Sequence, residues 1–449
     1  MSFYNTVAKL SLPVSDLINQ RRVGYYLDFL GKSQFWSKDR IQSYQCDRLR
    51  KLMDHAYVNV PFYKELFDQY GVKPAQIQDA SDLSKLPILT KKDIRDGINS
   101  GKLLDQTARL SKLERNNSSG STGEPLQFYL DPEASSIKKA STIRAWQWMG
   151  FNLGDKILRI SPLKRNGLIK HLQDIMTRTH YMQAYKFNEA EFAKVAEILI
   201  GFTPSVLRSY PDPLFLFSKY LKSHGIQPPR LTAINTTGST LHDAYREHIE
   251  DVFSCRIFDS FSCEGGAVVS QCPQSAAYHV ADEYAITEIV DNDGSHTKMG
   301  RLITTDLWNF ATPFIRYDTQ DMVEISEEHC TCGRGLMTIN KIFGRSSDIL
   351  VTPNKQFLFA NNFTGHFQNI TGVDQYQIHQ KSLNQIVVYI KTNNKYDSST
   401  SRAIMNLMQG IVGDSVSISI EIVDDIPVSK SGKRRFLIRD ESVPLVLDE

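Results

Sequence analysis

The spacing of apolar positions along the chain changes several times, and each change predicts a different kind of element. Residues 40–70 set apolar side chains among charged ones at helical spacing, with a break at Pro61. Leu86-Pro-Ile-Leu-Thr-Lys-Lys-Asp93 then predicts a further short helix with Thr90 as its N-cap, since a threonine hydroxyl can accept from the first unpaired amides. This helical lead-in runs to about residue 105. From about 110 the pattern alternates: a strand over 126–130, a helix over 134–149, a strand over 157–160 and a helix over 189–200. Such alternation predicts a mixed or parallel sheet covered by helices. Residues 255–345 are richer in strand patterns. Beyond Phe343-Gly-Arg-Ser-Ser-Asp348, a strand over 385–390, a helix over 398–412 and a strand over 416–423 predict a second, smaller α+β domain. The expected division is 1–347 and 348–449.

Composition narrows the function classes. The 449 residues include 52 basic and 50 acidic ones, a net charge of +2, so no overall field favours nucleic acid. No apolar run reaches the roughly 18–20 residues needed to span a bilayer, and the N-terminus lacks the pattern of a secretory signal. A cytoplasmic protein without a transmembrane segment is expected. Apolar positions over 8–30 beside Arg21-Arg22 suit a helix on the protein's own core or one lying on a membrane surface; the first is expected.

Three features carry chemistry. The run Ser118-Ser119-Gly120-Ser121-Thr122-Gly123-Glu124-Pro125 is either a plain turn or a loop whose N–H and O–H groups hold phosphate oxygens. It lacks the Gly-Lys-Ser/Thr ending of a Walker loop, which argues against a conventional P-loop ATPase or kinase. Ser429-Lys-Ser-Gly-Lys433, late in the chain, offers a cation for the charge that develops when pyrophosphate leaves. Cys272, His279, Cys330 and Cys332 follow a Cys-x6-His … Cys-x-Cys pattern. Three thiolates and one imidazole fill a tetrahedral Zn²⁺ with no open position, as in structural sites; four unconnected core residues are the alternative. Cys46, Cys255 and Cys263 read as small buried residues.

Taken in order, Asn59-Val-Pro-Phe-Tyr63, Leu86–Lys91, Ser118–Pro125, Thr312-Pro-Phe-Ile-Arg-Tyr-Asp-Thr-Gln-Asp321, Gly344-Arg345 and Ser431-Gly-Lys433 resemble the adenylate-forming superfamily. The resemblance is strongest to the branch holding phenylacetate–CoA ligase and the CapK-like polysaccharide-biosynthesis proteins. It implies a large multi-sheet adenylating domain of α/β and α+β character, with a zinc-bearing subregion at about 255–340, and a small mobile C-terminal lid. It also implies site roles. Ser118–Gly123 would hold the ATP phosphates, Glu264 the Mg²⁺, Asp321 the ribose hydroxyls and Arg345 the nucleotide near the ribose. Lys433 would reach the forming acyl–phosphate bond, and Asp348 would be the hinge between the two half-reactions. The CapK-like branch carries a similar Cys/His set.

Two positions depart from the family pattern. Ser260-Phe261 stands where relatives have Tyr-Gly, so Phe258 or Phe261 would have to replace a tyrosine against adenine. Ser239 stands where relatives commonly have an acidic residue. Tyr210, Thr237 and Phe261 are expected pocket walls for the acid, with Tyr181, Ser209 and Thr236 nearby.

The implied activity is ATP-dependent activation of a small carboxylic acid as an acyl-adenylate, followed by transfer to coenzyme A, a carrier protein, an amino sugar or another amine. Polysaccharide or secondary-metabolite synthesis is the expected setting, aryl acid–CoA ligation the first alternative, and a non-catalytic nucleotide-binding relative the second.

Overall fold

The computed structural model describes residues 4–6, 13, 16–17, 20–117, 126–161, 165, 167–183, 189–263, 265–326, 330–345, 348–354, 357–358, 360–367, 370–427, 435–440 and 442–443. Its lead-in contains the helices Val23–Ser33, Lys38–Asn59, Pro61–Gln69 and Lys91–Asn99. Pro61 stands at the first position of its helix, where no N–H is needed, which converts the expected break into a start. Thr90 and Asp93 cap one another reciprocally, so the helix Lys91–Asn99 opens where its sequence predicts. Val23, Tyr26 and Leu30 of the first helix are buried in the core of the lead-in.

Among the described residues thirteen strands precede residue 346: β1 (Glu114–Asn117), β2 (Gln127–Leu130), β3 (Ile157–Ser161), β4 (Thr179–Gln183), β5 (Val206–Ser209), β6 (Ala233–Thr237), β7 (Ile257–Ser262), β8 (Val268–Gln271), β9 (Tyr278–Val280), β10 (Ala285–Val290), β11 (Met299–Asp306), β12 (Tyr317–Ile325) and β13 (Thr338–Arg345). β1 and β2 pair as a hairpin. The others form an 11-stranded sheet ordered β10-β11-β12-β13-β9-β8-β7-β6-β5-β3-β4. From β4 to β7 its neighbours run parallel, and from β7 to β10 antiparallel.

The parallel half is covered on both faces, as parallel sheets are. Leu158, Ile160, Leu207, Ile234 and Ile257 face the helices Glu189–Phe202, Pro211–Ser223 and Asp243–Phe253. Ile157, Val206, Ala233 and Phe258 pack on the other side against Met149 and Phe151, which follow the helix Pro132–Trp148. Each fully buried side chain of this size contributes roughly 1.5–3 kcal/mol.

The small C-terminal α+β domain has its own sheet. β14 (Leu350–Val351) and β15 (Phe357–Leu358) form a short pair. β16 (Val373–Ser382), β17 (Gln385–Thr392), β18 (Ser417–Ile422) and β19 (Leu437–Arg439) form a four-stranded sheet ordered β18-β17-β16-β19. The helix Ser398–Val412 buries Ile404, Met408 and Val412 in the same core as Ile378, Ile386 and Val388 of this sheet. No helix among the described residues is long and apolar enough to cross a membrane.

Candidate active site

The parallel strands run in the order β4-β3-β5-β6-β7, so the chain steps one way from β3 to β4 and then returns past β3 to β5. Such a reversal opens a crevice at the carboxyl ends of the strands on either side of it, here β3 and β5. Beyond β5 lies Tyr210, whose ring covers the turn after β6. Gly238 in that turn has φ +91°, and a Cβ there would stand 2.8 Å from Tyr210 Cε1, so both conformation and space require glycine. Asn235 Nδ2 donates to Ser260 Oγ at 2.9 Å, and Ser260 Oγ lies 3.2 Å from Ser270 Oγ. Thr236 Oγ1 and Tyr278 O–H donate to the two oxygens of buried Asp259 at 2.6 and 3.2 Å. Burial raises the pKa of Asp259, and these hydrogen bonds oppose the rise.

Opposite this loop, β12 and β13 bring two expected site residues together as antiparallel partners, Asp321 and Arg345. Asp321 N–H donates to Thr319 Oγ1 at 3.2 Å, and Gln320, at φ +64°, donates its N–H to Asp318 Oδ1 at 2.7 Å. These local bonds fix the bend that presents Asp321. Gly344 has φ +98°, and a Cβ on it would meet Thr240 Oγ1 at 2.6 Å. The β12–β13 edge therefore abuts the Thr237–Thr240 turn. Gly265 approaches so closely that its Cβ would lie 2.7 Å from the Tyr317 ring, and Gly266, at φ +102°, packs on Asp306.

The small domain reaches the same end of the sheet. Phe436 lies edge-on to His242 at 5.4 Å and is tilted against Tyr376 at 5.3 Å. Arg435 donates through Nε to Asp348 Oδ1 at 2.7 Å.

A second constellation sits in the antiparallel half. Cys272 and His279 are buried, Cys330 and Cys332 half-buried, and their donor atoms all lie within 4.8 Å of one another. Cys272 Sγ is 3.5 Å from Cys330 Sγ, and His279 Nε2 is 3.2 Å from Cys332 Sγ. Ligands at about 2.0–2.3 Å from one tetrahedral zinc stand roughly 3.3–3.8 Å apart, so the set fits Zn²⁺. Burial, and then the Arg334 charge, push the His279 pKa down to about 4, which keeps the imidazole neutral and its lone pair available at neutral pH. Gln274 N–H donates to Cys272 Sγ at 3.3 Å.

This geometry agrees with the relatives. A model of the CapK C-terminal domain matches residues 350–440. The chain is 24% identical over 413 residues to Protein CapK of Staphylococcus aureus, covering 88% of each. It is 24% identical over 333 residues to the phenylacetate-coenzyme A ligase of Thermus thermophilus, covering 70% of this chain and 72% of that one. The crystal structure of 2-hydroxyisobutyryl-CoA ligase in the postadenylation state, in complex with R3-HIB-AMP, matches it with a TM-score of 0.73 at 16% identity, over 92% of each chain. The chain is thus similar to Protein CapK and to phenylacetate–CoA ligases, and it has the fold of the adenylate-forming ligases. The same hydroxyisobutyryl ligase in its thioesterification state matches with a TM-score of 0.60.

Of the residues singled out in this chain, Asp321, Arg345, Tyr210 and Thr237 converge around the Thr237–Thr240 turn. Phe261 does not: it packs with Cys263 on the core of the antiparallel half, against Val269 and Ala267. Phe258 is buried against Met149 and Phe151, with Arg256 4.7 Å above its ring. Ser118–Gly123, Glu264 and Lys433 lie outside the described residues. Their described neighbours are placed. Asn117 pairs with Gln127 across the hairpin, Gly265 meets Tyr317, and Arg435 pairs with Asp348.

Sequence reasoning missed a polar row on the sheet. Tyr181, Arg159, Arg208, Asn235 and Phe258 are successive cross-strand partners from β4 to β7. The available signal was an arginine in the third place of two strands that both open on a pair of aliphatic residues, Ile157-Leu-Arg-Ile160 and Val206-Leu-Arg-Ser209. It also missed Arg316, buried and paired with Glu288 at 2.9 Å, which holds the segment before Asp321.

Proposed function

We propose that this protein is an ATP-dependent, AMP-forming ligase that activates a small carboxylic acid and passes its acyl group to an acceptor. The acid's oxygen attacks the α-phosphorus, the α–β phosphoanhydride bond breaks, and pyrophosphate leaves with the electron pair. The acceptor's thiol, amine or hydroxyl then attacks the acyl carbon, and AMP leaves. The observation that carries this reading is the meeting of Asp321, Arg345 and the Thr237–Thr240 turn at the carboxyl end of the sheet, in a chain whose relatives include named CoA ligases.

In this reading Asp321 accepts from the ribose hydroxyls and Arg345 lies along the nucleotide, while Ser118–Gly123 cradle phosphates that Glu264 and Mg²⁺ balance. Lys433 stabilises the charge between acid and α-phosphate. The boundary falls at 347/348 and Asp348 is the hinge, its carboxylate held by Arg435 in this arrangement. The Cys272, His279, Cys330 and Cys332 set holds a structural zinc that ties the turn carrying Cys330 and Cys332 to β8 and β9. Coenzyme A is the acceptor favoured by the named ligases. The similarity to Protein CapK favours a role in polysaccharide synthesis, and a cytoplasmic setting goes with both.

The test is pyrophosphate release with Mg·ATP and a panel of carboxylic acids, with and without coenzyme A. Acid-dependent release that falls about 10²–10³-fold in Lys433→Ala, with ATP still bound, is the expected result. ATP binding with no acid-dependent release from any acid would favour the non-catalytic reading.

A further inference from the structure

The two arginines of the missed row stand where a doubly covered parallel sheet is normally apolar. Arg159 of β3 and Arg208 of β5 are direct parallel partners, so their side chains leave the same face of the sheet on neighbouring strands. That face is the one packed by Ile157, Val206 and Ala233, and the register places both arginines beside Asn235. In each strand the arginine alone is half-buried while every other position is fully buried. The two arginines are thus the positions of these strands that reach solvent, at the strand pair flanking the reversal in strand order.

Neither charge is neutralised by a described residue. Arg208 donates through Nε to Asn235 Oδ1 at 3.0 Å, and its guanidinium lies 4.0 Å over the Trp146 ring. Arg159 lies 5.6 Å over the Tyr181 ring. Among the described residues no carboxylate pairs with either. Arg165, which also approaches Tyr181, is already paired with Asp174 at 2.8 Å. Asp259, on β7, leaves the opposite face of the sheet and is held by Thr236 and Tyr278. Burial, and then the Arg159 charge, push the Arg208 pKa down to about 9, so the guanidinium is still cationic at neutral pH. Two neighbouring like charges in a semi-buried site are costly unless an anion completes them. The planar forks of arginine suit a carboxylate or phosphate.

Resting on the ligase reading above, we propose that Arg159 and Arg208 bind a second anionic group on the acid being activated, so that the substrate class is a dicarboxylic or phosphorylated acid. Asn235 positions Arg208 through its Oδ1 and holds the row to Ser260 at the end of β7. The reacting carboxylate then lies toward the Thr237–Thr240 turn and the distal anion over the arginines. Tyr210, which lines this turn and feels the Arg159 charge, stands between them.

The test combines equilibrium binding and ATP–pyrophosphate exchange on the full chain. Succinate and glutarate are compared with the monocarboxylates butyrate and pentanoate, and 3-phosphoglycerate with glycerate. Binding is read from tryptophan fluorescence, for which Trp146 is a built-in reporter. The expected result is that one dianionic series binds and exchanges about 10–100-fold better than its singly charged analogues. Arg159→Met and Arg208→Met should each remove most of that preference without weakening ATP binding. The carboxylate and phosphate arms tell the two sources of the distal anion apart. Equal use of mono- and dianionic acids would overturn the proposal while leaving the ligase reading intact. Dianion-selective binding lost in Arg159→Met, with no exchange, would keep the arginine site and overturn the ligase reading. No preferential binding by either series would overturn the proposal outright.

Discussion

Arg144 and Arg208 both lie at the helix Pro132–Trp148, and the fold treats them in opposite ways. Arg144, on the helix, is completely buried, and Glu283 meets it with both oxygens, at 2.7 and 3.2 Å. Leu30 O accepts from it as well, and Ser33 Oγ donates to the same Glu283 at 2.6 Å. Arg208, across the helix under Trp146, has an amide oxygen and a ring but no carboxylate among the described residues. The first charge is complete within the fold and is architecture. The second is completed only from outside, which is what a binding site requires.

The largest test of this contrast is Arg144→Met. It strands Glu283 in an apolar surround, and breaking one partner of a buried pair costs about 3–5 kcal/mol, so the denaturant midpoint should fall steeply. A small change would mean that the pair is not structural.

The Cys/His set carries the comparison into the same half of the sheet, since Trp148 touches both Arg144, at 5.4 Å, and His279, at 5.7 Å. Cys330→Ser should abolish bound zinc and lower the melting temperature by about 3–4 °C, the effect of a loss of roughly 2–3 kcal/mol in a domain of about 350 residues. Zinc content and calorimetry check this. An unchanged melting curve after zinc loss would remove the structural role.

Asp282 adds a pH dependence. Burial raises its pKa from 3.8 to about 7, although Met337 N–H donates to it at 2.6 Å. The folded state therefore holds a proton that the unfolded chain releases, and this contribution is full below about pH 4 and lost as pH rises through about 7. Asp282→Asn should flatten the stability profile over that window, as measured by urea unfolding.

The smallest effect is expected at Arg208→Met. Relieving one of two neighbouring charges should leave stability unchanged or raise it by up to about 1 kcal/mol, with function lost instead. A loss as large as that of Arg144→Met would show that Arg208 is architecture too.

How legible each part was follows from the same physics. The capped helix at Thr90, the strands at 157–161 and 385–392 and the helix at 398–412 are written in local pattern, and the structure has them. The Cys/His set declares itself because so few residue types bind zinc, and the chain brings all four together. Asp321 and Arg345 were readable only as separate motifs. Their pairing depends on the register of β12 and β13, which no short segment encodes. The Arg159–Arg208 row was not read at all, because each arginine looks ordinary within its strand and only a parallel register across 49 positions makes them neighbours. Phe261, expected as a pocket wall, shows the reverse. Strand alternation turns it to the opposite face from Ser260, onto the core of the antiparallel half.

If a carboxylic acid is joined to AMP, its own oxygen atom is the tracer that reports the step. An acid labelled with heavy oxygen in its carboxylate is turned over with Mg·ATP and coenzyme A, and the AMP is weighed by mass spectrometry. The account predicts that one labelled oxygen appears in AMP, because the acid's oxygen becomes the bridge to the α-phosphorus and leaves with it when the acyl carbon is attacked. AMP that gains its new oxygen from water, or turnover that yields ADP, would contradict it.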